Sequence, residues 1–223
     1  MTEPNANPAG SSPSLQLAEL LATRLCHELA GVSGSLLGVL ELAAEQPGSG
    51  NEAVVLARDT AHELTRRLHL LRAAWGVAAS TMDRSQLQEL LAGAPVGRRV
   101  QIDLSGLDEE ASFPPHIARL LLNLALLGAE SLCGEGRAAL QGSPELGIVT
   151  TIEGPRAAWP AALAEMLIDP CSAWRNLEGP RQVQAPLTAL LAQESGLQLC
   201  FLLPASEAAG QKPSPLFLRP FAS

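Results

Sequence analysis

Tyrosine is absent from this 223-residue chain, and aromatic residues as a whole make up only 3% of it. A core with so few rings must be filled by aliphatic side chains, and the abundance of leucine and alanine favours a helix-rich protein. Positive charge is also scarce: 15 Lys and Arg stand against 23 Asp and Glu, for a formal net charge of −8. That balance argues against a phosphate-backbone binder, which draws its affinity from clustered cations. The four cysteines, Cys26, Cys133, Cys171 and Cys200, are dispersed and form no Cys-x-x-Cys pair. With no secretory signal they read as reduced, mostly buried thiols, and the expected location is cytoplasmic. No uninterrupted apolar run reaches the roughly 18 residues that span a bilayer, so no membrane contact is expected.

What the chain does have is periodicity. Leu15, Ala18, Ala22, Leu25, Leu29, Val32, Leu36, Val39 and Ala43 step by three and four without a break, which predicts one long helix with a single apolar seam. After Gln46-Pro47-Gly48-Ser49-Gly50, with Asn51 as a candidate N-cap, the pattern repeats through Val54, Ala57, Ala61, Leu64, Leu68, Leu71 and Trp75. Two such helices joined by a short turn make an antiparallel hairpin. Its unpartnered stripes are satisfied by a second copy, giving a dimeric four-helix bundle.

The pattern changes after Gly76. Ser85-x-x-Gln88 resembles a capping box opening a short helix. Arg99–Leu104 alternates like a strand, and Pro114-Pro115 introduces an apolar helix over Ile117–Cys133. Strands are predicted at Arg137–Gln141, Gly147–Ile152 and Leu197–Leu203, and helices at Ala161–Ile168 and Leu187–Gln193. Strands alternating with helices predict an α/β sandwich. The expected organisation is therefore a disordered start over 1–14, a helical hairpin over 15–79, an α/β domain over 80–205 and a tail over 206–223, in which Leu216-Phe217-Leu218 can dock.

Chemistry concentrates around His27. It lies two residues after the seam residue Leu25, so at 100° per residue it points away from the seam. Arg24, Gly31, Gly34 and Gly38 are assigned to the same outward face. Each glycine costs a helix about 1 kcal/mol against alanine, so three of them beside a histidine suggest a face kept bare for close approach. His62 and His69 read as solvated surface residues with no further metal ligands around them, and His116 follows two prolines at a helix start with no obvious partner. From the residues alone His27 has two readings. One is a surface histidine that titrates without purpose. The other is a phosphoryl acceptor, with Glu28 holding the second ring nitrogen or assisting proton removal, and Arg24 offsetting phosphate charge.

The stretch Arg24-Leu25-Cys26-His27-Glu28-Leu29-x-Gly31 resembles the phospho-acceptor motif of ChpT-type histidine phosphotransferases, which are similar to the dimerisation domains of sensor histidine kinases. The likeness extends to Gly38-x-x-Glu41-Leu42, Leu121-Leu122-Asn123-Leu124-Ala125, Gly154-Pro155-Arg156-Ala157 and Gln184. It departs from the family at Val32, where proline is usual. The resemblance implies a homodimer, a second domain resembling a kinase ATP-binding domain without nucleotide, and a place in a multistep phosphorelay. Phosphoryl would pass from the receiver domain of a hybrid kinase to His27 and on to response-regulator aspartates. The receiver would supply Mg²⁺, and this chain would bind no cofactor, ATP or metal. Gly31, Gly34, Leu37 and Gly38 would lie against a receiver helix, and Arg156 is a further contact by resemblance only.

Two rivals stand beside this reading. An ATP-dependent sensor kinase would need a second asparagine where Leu127 and Gly128 stand, an Asp-x-Gly-x-Gly run where Glu153-Gly154-Pro155-Arg156 stands, and a glycine-rich lid. A scaffold that grips a regulator without transferring phosphate is the other. Asn123 on its own reads as a capped or packed helix residue.

Overall fold

A computed structural model describes residues 12–45, 50–77, 80–202 and 213–220. The predicted disordered start falls almost wholly outside these residues. The order of elements is α1 (Pro13–Glu45), α2 (Gly50–Trp75), α3 (Arg84–Leu91), β1 (Val100–Leu107), α4 (Pro115–Glu130), β2 (Gly136–Ser143), β3 (Gly147–Glu153), α5 (Leu163–Ile168), α6 (Pro170–Arg175), α7 (Gln184–Glu194), β4 (Leu197–Phe201) and β5 (Leu216–Pro220).

The helical hairpin and the α/β layer follow from their sequence patterns. α1 begins two residues earlier than its apolar seam predicts, because proline tolerates the first turn and the Ser12 hydroxyl accepts from the Leu15 N–H at 3.3 Å. The box that opens α3 is also two residues earlier than predicted. The Asp83 carboxylate accepts from the Gln86 N–H, and the Gln86 side chain accepts from the Asp83 N–H. α4 starts at Pro115 and is apolar on every side, so it is buried on every side from Ile117 to Ala129 save at Arg119.

One mixed sheet of five strands, in the order β1-β2-β3-β5-β4, carries these helices. β1 and β2 run parallel, as a crossover through α4 requires, and every other pairing is antiparallel. β2 and β3, both expected as strands, form a hairpin that pairs Arg137 with Glu153 through to Ser143 with Gly147. Ala138, Leu140, Ile148, Thr150 and Ile152 point to the helical layer and are buried. Gly128 of α4 sits where a Cβ would stand 3.0 Å from the Ala138 Cβ, so the position expected to hold a kinase asparagine is occupied by close helix–sheet packing.

Several expectations are corrected. The segment assigned to a tail contains β5, which slots between β3 and β4 with Leu216 and Leu218 fully buried. The short helix α6 was not foreseen. Cys26, Cys133 and Cys171 are exposed rather than buried. α1 is, by length and composition, long and apolar enough to cross a membrane. However, Gln16 donates to the Leu177 carbonyl at 2.8 Å and Arg24 pairs with Glu130, and these contacts tie it to the α/β layer instead.

The two parts share one core. Leu70 and Ala74 near the end of α2 are fully buried in the same cluster as Leu121, Leu124 and Leu190. A polar knot lies in the middle of it. The Asn123 side-chain amide donates to the carbonyls of Ala74 (2.7 Å) and Arg119 (2.8 Å), and its oxygen accepts from the Gln184 amide at 2.9 Å. Gln184 also reaches Thr188, whose hydroxyl returns to the Gln184 carbonyl. Asn123 is thus a packed helix residue joining α2, α4 and α7, with its side chain already committed. Asn123→Leu is expected to cost about 1–2 kcal/mol, because the shortest bonds to the Ala74 carbonyl and the Gln184 amide are lost and only the longer ones remain, from Arg119 at 3.2 Å and to the residue-123 carbonyl and Thr188 at 3.2 and 3.3 Å. A fall in the urea midpoint with unchanged slope would show it.

The hairpin seam is only partly closed within one chain. Val32, Ala57 and Leu71 are buried, but Leu15, Val54 and Leu68 are exposed. Among the described residues, eight of the thirteen exposed large hydrophobic ones lie on α1 and α2.

Candidate active site

His27 stands exposed on α1 and, among the described residues, makes no hydrogen bond or ion pair. It opens on a cleft of about 700 Å³ lined by Arg24, His27, Glu28, Glu130, Pro180, Arg181 and Gln182. The hairpin supplies one wall. The end of α4 and the turn before α7 supply the other.

Arg24 is not on the open face where the sequence placed it. Three helical positions before His27 put it about 60° round the axis, and its long side chain turns towards the α/β layer. Its guanidinium is buried, touches the Glu130 carboxylate, lies 3.8 Å from that of Glu28 and sits 5.3 Å from the Trp75 ring centroid. One guanidinium nitrogen, Nη1, is buried without a partner among the described residues. The protein packed around Glu130 pushes its carboxyl above the ordinary range, while Arg24 pulls it the other way.

Glu28 also differs from expectation. Neighbouring residues on a helix diverge by about 100°, so its carboxylate turns inward while the imidazole turns out. It faces Arg24 and Arg67, the latter at 4.0 Å, and Arg67 also donates to the Glu28 carbonyl. No hydrogen bond joins Glu28 to the ring of His27 among the described residues. Its place is that of a brace between α1 and α2.

The remaining candidates fall into two groups. Gly31, Gly34, Leu37 and Gly38 are all exposed, and a methyl group added at any of the three glycines would meet nothing within 4 Å. The bare face is therefore real in one chain. Arg156 is also exposed, but it lies on the turn after β3, donates to the Cys133 carbonyl at 2.7 Å and does not line the His27 cleft. Sequence reasoning missed Glu130, Arg67, Arg181 and Gln182. No local pattern announces an ion pair between residues 24 and 130, and Arg181 lies in a stretch without periodicity. Among the described residues no group of three or more His, Cys, Asp or Glu is placed to hold a metal.

The C-terminal part of the chain, residues 84–207, matches the family model described as the histidine phosphotransferase C-terminal domain. The sequence is 27% identical over 192 residues to the protein phosphotransferase ChpT of Brucella abortus (strain 2308), covering 83% of this chain and 90% of that one. The fold is similar to a solved bacterial phosphotransferase with a TM-score of 0.63 and 24% identity, covering 96% of this chain and 99% of the other. The family match extends over more than half of the sequence, and the chain accordingly belongs to the histidine phosphotransferase family.

Proposed function

We propose that this histidine phosphotransferase carries its phosphoryl group on His27, taking it from the receiver domain of a hybrid kinase and passing it to aspartates of response regulators. One observation carries the assignment: an imidazole with no partner among the described residues, projecting from a helix face made bare by glycine. Such a ring is free to attack in line, and the chemistry asked of it is sparse. The receiver brings the aspartate and Mg²⁺, while this chain presents a nucleophile and restricts water. The commitment of Asn123 to Ala74 and Gln184, and the packing at Gly128, support a second domain that takes no ATP.

A homodimer paired through α1 and α2 belongs to the same proposal. Its support is the concentration of exposed apolar residues on the hairpin and a groove of about 450 Å³ between the helices, lined by Leu21, Ala22, Leu25, Leu68, Leu71 and Trp75 among others. The location proposed is cytoplasmic, where receivers are met. The deciding experiment is incubation with a phosphorylated receiver, followed by detection of acid-labile label on this chain. Label that appears only in the presence of ATP and no receiver would favour the kinase reading, and tight receiver binding without label would favour the scaffold.

The glycine face gives a prediction with two signs. Gly31→Ala together with Gly34→Ala should stabilise the helix by about 1–2 kcal/mol, since nothing obstructs the added methyls and alanine is the better helix former. The same change should slow transfer several-fold by holding the receiver off. Thermal melting and transfer rates measured on one preparation test both halves.

A further inference from the structure

The charges lining the His27 cleft do not suit an incoming phosphoryl group unless one more residue takes part. Arg24, Glu28 and Glu130 contribute one positive and two negative charges, and Arg24 is already engaged with both carboxylates. A phosphoryl group adds roughly two further negative charges at neutral pH. Arg181 is the other cation lining the cleft. It is exposed and, among the described residues, has no hydrogen bond or ion pair.

Its backbone is held in place. The turn between α6 and α7 is anchored by Leu177 and Val183, both buried, and is closed by the Gln182 N–H donating to the Gly179 carbonyl at 3.1 Å. Gln16 of α1 grips the same turn through the Leu177 carbonyl. The guanidinium is thus free to move while its point of attachment is fixed beside α1, on the same cleft as His27.

We propose that Arg181 is an anion-binding residue for the phosphoryl group carried by His27, doing what the sequence assigned to Arg24. The inference rests on His27 being the acceptor. In the transfer step, the lone pair of a ring nitrogen forms the N–P bond as the P–O bond of the receiver's aspartyl phosphate breaks. The aspartate leaves as carboxylate with the bonding pair, and no proton need move. The histidine product keeps the phosphoryl charge inside the cleft, where a planar guanidinium can hold two of its oxygens.

This role is separable from docking by thermodynamics. A residue that only helps the receiver bind changes forward and reverse transfer together and leaves the final partition of phosphoryl between His27 and the receiver aspartate where it was. A residue that holds phosphohistidine moves that partition. Starting from a phosphorylated receiver, the label on each chain at equilibrium is measured for the wild type, Arg181→Ala and Arg181→Lys, with circular dichroism to confirm the fold. Arg181→Ala should shift the partition away from His27 by about tenfold, the scale of one charge-assisted contact, and Arg181→Lys by about threefold or less. An unchanged partition in Arg181→Ala, whatever its rate, overturns the inference while leaving the acceptor assignment standing. A wild-type chain that takes no label at His27 overturns the acceptor assignment, and this inference with it.

Discussion

Replacing His27 by alanine is expected to abolish phosphoryl acceptance, with label falling from a stoichiometric signal to background, while the fold and self-association persist. The reasoning is that the imidazole holds no other part of the fold in place. It is exposed, it has no partner among the described residues, and it belongs to a helix in which alanine is at least as comfortable. Exposed substitutions of this kind change stability by no more than about 0.5 kcal/mol. Loss of transfer in His27→Ala therefore cannot be attributed to unfolding, and a melting curve with a receiver-binding measurement makes the separation explicit. His27→Gln sharpens the test, since it keeps a polar side chain but has no nitrogen lone pair able to take phosphoryl. Residual acid-labile label in either variant would place the acceptor elsewhere, with exposed His62, His69 and His116 next in line. Label that persists but is stable to acid would mean an unrelated side chain is being modified.

Much of this architecture is written in short-range pattern. The three-four stepping of leucine and alanine is enough to specify α1 and α2, because a helix of that length needs one apolar stripe and these residues provide it. Pro114-Pro115 marks the start of α4 for the same local reason, and Gly142 to Gly147 brackets the β2–β3 hairpin. What could not be read is whatever depends on two distant segments meeting. The heptad argument places Arg24 on the face of His27, and by angle alone that is reasonable. Its actual direction is decided by Glu130, 106 residues later, and by the Trp75 ring. β5 is not legible because four residues between prolines look like a tail until β3 and β4 offer two unpaired edges for it to fill. Cys26 and Cys133 were assigned to the interior on general tendency, yet one sits on the open face of α1 and the other has a left-handed backbone beside Gly134.

The second large effect is expected at Arg24, and it separates two accounts of why that residue stands one turn before the acceptor. If its purpose were to offset phosphate charge from an exposed position, Arg24→Ala would slow transfer and leave stability within about 0.5 kcal/mol of the wild type. The geometry predicts otherwise. The guanidinium is buried, neutralises Glu130, shares Glu28 with Arg67 and packs over Trp75, so it fastens the stalk to the end of α4. Removing it leaves Glu130 with no counter-charge among the described residues, and takes away the cation–π contact as well. Breaking a buried pair by deleting one partner costs about 3–5 kcal/mol. The lower end applies here, because the Glu130 side chain keeps 35% of its exposure and can recruit water. A loss of about 3 kcal/mol corresponds to roughly 6–12 °C in Tm for a chain of this size. Arg24→Lys should lie between, since an ammonium keeps the charge but cannot bridge two carboxylates and cover a ring at once. Arg24→Met combined with Glu130→Leu should recover part of the loss, because no carboxylate is then stranded, and a double-mutant cycle should give a coupling of at least about 1 kcal/mol. In that double variant the cation and its orphan are both gone while His27 and Arg181 are untouched. Phosphoryl uptake close to wild type would show that Arg24 serves transfer by holding the two walls of the cleft together, whereas uptake as poor as in Arg24→Ala would assign it a direct part in the chemistry.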